Sequence, residues 1–195
     1  KSQSARFDAF GRGTFQLVAC SDPVESSVHT VEIATGEKAN PTLTIKVFFQ
    51  DEPIDRDSYR AAAVAGCTQA AQTLVGARGF PLPTLEMKIY VINLSSFDGL
   101  GGVDPKDPTT IYLHHAMFEA DQIKKVVAHE FFHCIQGVTT NLASATYYKQ
   151  ENFWFKEGTC EWAADEVFDN IPDHYHAPAW DRFMRPLNQQ DTDGT

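Results

Sequence analysis

No stretch of the 195 residues approaches the roughly 18 consecutive apolar positions that a membrane-spanning helix needs. The opening KSQSARFDAF also lacks the apolar core of a signal peptide. An initiator Met is missing too, which leads to the expectation that a leader or longer N-terminal region was removed or lies beyond these residues. Basic residues are scarce: 16 Lys and Arg against 26 Asp and Glu give a formal net charge of -10, with a sequence pI near 5.0. Without a basic cluster to neutralise phosphates, the balance argues against a nucleic-acid backbone as the main partner.

Cysteine is sparse as well. The four residues Cys20, Cys67, Cys134 and Cys160 form no CxxC pair, which leaves little support for cysteine-based zinc or redox chemistry. They allow three complete pairings and suit an oxidising compartment, though they suit buried, reduced thiols almost as well. Cys134 and Cys160 flank the segments that carry the chemistry, so their pairing is preferred, leaving Cys20 with Cys67. A disulfide-bonded protein, secreted or otherwise extracytoplasmic, is the resulting expectation.

What is present fits a folded globular chain: 43% hydrophobic and 22% charged residues, with 14 Phe, 6 Tyr and 3 Trp to build a core or line a groove. The length suits one compact domain over 1–195, with possible sublobes 1–137 and 138–195. TFQLVAC (14–20), HTVEI (29–33), LTIKVFF (43–49), LEMKIYVI (85–92) and a short run at 109–113 read as strands. Between them, 55–79 reads as an alanine-rich helix capped by Asp55 or Asp57 and stopped by Gly79; Gly66 weakens that reading, and as a helix its small face allows close approach to a sheet. NLSSFDGLGGVDPKDP reads as a long loop in which DPKD is an ordinary turn rather than a calcium site. A second helix starts near 119–121 and ends at Gln136 with Gly137 as its stop, SATYYKQ (144–150) makes a short helical connection, and a third helix covers 155–171 before Pro172. Gly158 in that last helix calls for a close backbone contact or a helix that begins there. The order of elements predicts an α+β arrangement around a small mixed sheet.

The chemistry centres on VVAHEFFHCIQ, which contains His129-Glu130-Phe131-Phe132-His133, an HExxH pentapeptide on a predicted helix. At helical pitch the two histidines lie about 40° apart in projection and roughly 6 Å apart along the axis, so both rings can reach one ion. Glu130 is offset by about 100°, which lets its carboxylate address water beside the metal. The apolar neighbours Val126, Val127, Phe131 and Ile135 anchor the scaffold. A run of satisfied core histidines is the simpler alternative, but a carboxylate inside an apolar helix is costly unless a cleft or partner receives it. The extended pattern HExxHxxGxxH is not met, because Gln136 and Thr139 stand where its glycine and third histidine belong.

A downstream glutamate is the other way to complete such a site, and WFKEG (154–158) supplies one, with Glu157 lying 24 residues after His133. HEFFH together with WFKEG resembles the gluzincin zinc metallopeptidases, the thermolysin-like and aminopeptidase-like enzymes, although the usual Asn before the glutamate is Lys156 here. The resemblance covers about residues 110–170. It implies a zincin-like domain with an active-site helix and a following glutamate-bearing helix, with His129, His133 and Glu157 as zinc ligands and Glu130 as general base. Glu161, one turn beyond Glu157, resembles the acidic residue that holds a ligand histidine in thermolysin-like members, here His129. Asp165 continues that stripe as a helix N–H or water partner. Tyr148 and His176 are put forward as oxyanion donors, with His174 and Tyr175 beside the latter. The run 109–113 resembles the edge strand that binds extended substrate, and strand alternation lets at most one of His114 and His115 point to the cleft.

The resulting expectation is a Zn2+-dependent metallopeptidase acting on peptides or proteins. No GxMEN-type segment for a free substrate amine precedes HExxH, which favours an endopeptidase. The alternatives are a non-catalytic, zinc-stabilised protein-binding module and a zinc hydrolase of a non-peptide amide or ester. Nothing in the sequence bears on oligomeric state.

Overall fold

The computed structural model describes residues 6–7, 13–14, 24–35, 40–50, 53, 55–94, 100–104, 107–117, 119–140 and 150–171. A minimal ribbon pairs β1 (Arg6–Phe7) with β2 (Gly13–Thr14). The main sheet has five strands: β3 (Val24–Glu32), β4 (Thr42–Phe49), β5 (Glu86–Ile92), β6 (Gly101–Val103) and β7 (Thr110–His114), in the spatial order β3-β4-β5-β7-β6. It is mixed: β4, β5 and β7 run parallel, while β3 and β6 pair antiparallel at the two edges.

Alternation explains the central strands. Leu43, Ile45, Val47 and Phe49 of β4 are buried, as are Met87, Ile89 and Val91 of β5. Period-2 side chains on paired strands form one continuous apolar face. Helix α1 (Arg56–Ala70) follows β4, capped by Asp55, whose carboxylate accepts from the Asp57 and Ser58 amides. It continues into a wider π-helical segment, Ala71–Ala77, and the chain stops at Gly79 in the left-handed region, φ 76°. Gly66 does not interrupt α1; it lets a neighbouring helix come close, since a Cβ there would fall 2.9 Å from both Cα and the carbonyl oxygen of Lys124.

Lys124 belongs to α2 (Ala120–Thr140), which packs on α1 and runs through Gly137 instead of stopping there. Val126, Val127, Phe131 and Ile135 are all buried. Helix α3 (Gln150–Val167) begins before residue 155 and carries Gly158 in its interior. No described atom lies within 4 Å of a Cβ built at Gly158, so neither a close contact nor a helix start accounts for that glycine. Aromatic edge-to-face contacts join the layers, with Phe80 5.2 Å from Phe132 and Trp162 6.0 Å from Phe132. Buried Lys125 pairs with Asp165 at 2.7 Å and fastens α2 to α3, which gives Asp165 a side-chain partner in place of a helix N–H.

The long loop after β5 contains β6, an edge strand that lacks any apolar alternation. Cys67, Cys134 and Cys160 are buried free thiols, so the Cys134–Cys160 pairing, the Cys20–Cys67 pairing and the disulfide they implied are not formed. The strand expected at 14–20 and the connection at 144–150 lie almost wholly outside the described residues. Among the described residues, no helix is long and apolar enough to cross a membrane.

Candidate metal centre

The centre is built where α2 and α3 face each other beside β6. One turn of α2 separates His129 from His133, and their rings converge, with the two Nε2 atoms 3.1 Å apart. Two lone-pair donors at that distance, both buried, can share a proton or a cation. Among the described residues, His129, His133 and Cys160 form the group whose donor atoms all lie within 4.8 Å of one another. This His/His/thiol cluster is consistent with a divalent metal site and supports metal-dependent catalysis in general.

The cluster corrects the family resemblance. The gluzincin pattern completes its site with a glutamate and has no place for a thiol, whereas here α3 brings the Cys160 sulfur into the donor group. The gluzincin assignment is therefore withdrawn, and with it the zincin-like fold class defined by a glutamate-bearing second helix. The helix pair itself is present. The absence of a CxxC pair hides this donor in the sequence, because a lone thiol brought in by tertiary packing leaves no such local signal.

Glu157 nevertheless lies beside the histidines, its Oε2 3.3 Å from His129 Nε2 and 3.2 Å from His133 Nε2. The thiol and this carboxylate approach different nitrogens of the His133 ring, since Cys160 Sγ lies 3.0 Å from Nδ1. Glu161 Oε1 lies 2.9 Å from His129 Nδ1. A carboxylate on that nitrogen orients the ring and directs Nε2 inward.

The charges reinforce this arrangement. Burial alone would lower the His129 pKa, but hydrogen bonds to Glu157 and Glu161 and the nearby Glu130 charge outweigh it and push the value up to about 10. Burial opposes ionisation of Glu157, yet His133 and His129 beside it hold its carboxyl well below the usual range. Glu130 is the opposite case: burial raises its pKa, and the histidines only partly counter it. Its Oε2 is buried with no hydrogen-bond partner among the described residues. Such an atom is costly in a purely structural helix, and fits a group that a ligand or water completes.

Three contributors went unnoticed in the sequence. Gly101 of β6 abuts Glu130, Gln136 touches His133, and Cys160 joins the donor group. His114 turns its Nδ1 to the Ala116 amide at 3.0 Å, and its ring stacks on His115 with centroids 5.2 Å apart, so the two rings are not sent apart by alternation. In the DPKD segment, Asp107 accepts from the Thr109 amide and the Thr110 hydroxyl, an ordinary Asx-type turn. Tyr148, His174, Tyr175 and His176 lie outside the described residues. A search of known families finds no matching family model, and a search of curated proteins finds no matching protein.

Proposed function

We propose that the protein is a zinc-dependent hydrolase that cleaves peptide bonds in peptides or proteins, acting as an endopeptidase. The observation that carries this reading is Glu130: a buried carboxylate with an unpartnered oxygen, one residue from a metal-competent histidine. An ion held only for structure needs no acid–base group at its side. Nitrogen, sulfur and carboxylate donors together suit zinc.

In this reading His129 and His133 would hold the ion together with one donor of α3, Cys160 or Glu157. A bound zinc ion would supply Lewis acidity towards water and the scissile carbonyl. Glu130 takes the proton from the attacking water and returns it to the leaving amine. Its raised pKa suits the second of those steps, because burial favours the protonated carboxyl. Glu161 holds the His129 ring, and Tyr148 and His176 are the proposed oxyanion donors. The preference for internal cleavage rests on the missing GxMEN-type segment.

A second reading follows from Cys160. If the thiol and Glu157 both joined the histidines, four protein donors would close the site and leave a zinc-stabilised binding module.

Metal analysis of the purified protein, combined with digestion of a diverse peptide library by wild type and Glu130→Gln, tests both. The expected result is stoichiometric zinc in both proteins and cleavage by the wild type alone. Stoichiometric zinc without any cleavage would sink the peptidase reading. Zinc retention in Glu157→Gln and in Cys160→Ala identifies the third donor, and loss in both supports the closed site.

A further inference from the structure

We propose that Gln136 is a positioning residue that locks the His133 ring with its Nδ1 protonated and its Nε2 lone pair turned to the metal face shared with His129 and Glu157. The inference rests on the metal-site reading above and specifies which edge of His133 that site uses.

Each neighbour of Gln136 limits what its amide can do. Its amide Nε2 lies 3.0 Å from the Lys156 carbonyl oxygen and 2.7 Å from Thr159 Oγ1. A carbonyl can only accept, so the amide nitrogen must face it. Thr159 Oγ1 has its own acceptors in the Phe155 and Lys156 carbonyls, 2.8 and 3.1 Å away, and so it accepts from Gln136 in turn. The orientation of the Gln136 amide is thereby fixed by partners that belong to α3.

The consequence passes to the histidine. With the nitrogen committed, the amide oxygen Oε1 faces His133 Nδ1 at 2.9 Å. An oxygen with only lone pairs requires a proton on that nitrogen. In the neutral ring the other nitrogen, Nε2, then carries the lone pair; it lies 3.1 Å from His129 Nε2, whose proton faces both this lone pair and Glu157 Oε2, 3.3 Å from that same His129 nitrogen. One buried amide thus joins the second histidine of α2 to the stretch of α3 that bears Glu157 and Cys160. The residue that breaks the HExxHxxG template performs this task, which a glycine has no side chain to do.

The Cys160 sulfur competes for the same nitrogen, lying 3.0 Å from Nδ1. Sulfur is a weak hydrogen-bond acceptor, and the amide oxygen at 2.9 Å is a much better partner for a proton on Nδ1.

The test reads the tautomer directly, in the metal-free protein, from long-range proton–nitrogen correlations of the His133 ring, and separately measures zinc affinity by chelator competition. Wild type should show the Nδ1–H form. Gln136→Leu should populate the Nε2–H form and bind zinc about 10- to 100-fold more weakly. Gln136→Glu keeps the acceptor, so it should restore the tautomer and most of the affinity. Cys160→Ala should leave the tautomer unchanged. An Nε2–H ring in wild type overturns the proposal, as does Gln136→Leu with both tautomer and affinity unaltered. A switch of tautomer in Cys160→Ala would transfer the role to the thiol. Because the tautomer is read without metal, a protein that binds no zinc would defeat the hydrolase reading while leaving this result intact.

Discussion

Gly101 on the edge strand and Glu130 on α2 are in contact so close that a Cβ at Gly101 would fall 2.9 Å from both Cγ and Oε1 of the glutamate. The same Cβ would lie 2.8 Å from Val126 Cγ1, so it is blocked from two sides. β6 cannot easily retreat, since Gly101 is in register with Leu113 of β7. Gly101→Ala is therefore expected to displace the Glu130 carboxylate while leaving the histidines in place. Peptide cleavage should fall by roughly 10- to 100-fold, as small misplacements of a reacting group do. Zinc content should stay near wild type, and a kcat/KM assay beside metal analysis separates the two effects.

Two helix glycines should respond in opposite directions. At Gly66 a Cβ meets the backbone of Lys124, which cannot swing aside, so Gly66→Ala should cost roughly 1–3 kcal/mol by forcing α1 and α2 apart. At Gly158 it meets open space, and Gly158→Ala should add roughly 0.5–1 kcal/mol by relieving the entropy cost of a helical glycine. Urea denaturation of the two variants checks both signs. Equal destabilisation would show that α3 is constrained at Gly158 after all.

Much of this architecture was legible from local pattern. β4 and β5 announced themselves by alternation, and His129, Glu130 and His133 by helical spacing on an apolar helix. What escaped was tertiary in origin. β6 is a Gly-Gly-Val strand with no pattern of its own, and its pairing with β7 makes it one. Gly137 does not end α2, because the helix gains partners at and past its expected end: Gln136 reaches α3, and Thr139 Oγ1 bonds back to the Ile135 carbonyl at 2.8 Å. Cys160 looks like half of a disulfide in the sequence, which shows that two thiols flank a site but not which atoms they meet. In the fold its nearest partner of note is an imidazole.

The thiols give a direct chemical check. Cys67, Cys134 and Cys160 are buried, and burial pushes the Cys67 thiol up to about 12 and the other two well above their usual value. Thiolate is the reactive form, so alkylation of the native protein at these three sites should be very slow. After unfolding without reductant, all three should alkylate fully, as read by peptide mass spectrometry. A Cys134–Cys160 cross-linked peptide would contradict the fold at its helix pair.

The His129 environment predicts a pH dependence for the metal-free protein. Its pKa stands near 6.5 in the unfolded chain and is pushed up to about 10 in the fold, where Glu157 and Glu161 hold the charged ring. A raised folded value means stabilisation that is complete below about pH 6.5 and disappears as pH rises through about 10. Urea midpoints of metal-free protein should accordingly fall across that interval. Glu161→Gln removes one of the two carboxylates bonded to the ring, so its decline should be shallower and should begin from a lower midpoint. Zinc reverses the preference, because the ion requires the deprotonated nitrogen. Zinc affinity should then climb over the same interval in which metal-free stability drops. Parallel titrations of midpoint and affinity against pH measure both, and a flat metal-free profile would mean that His129 is not held as a cation by its two carboxylates.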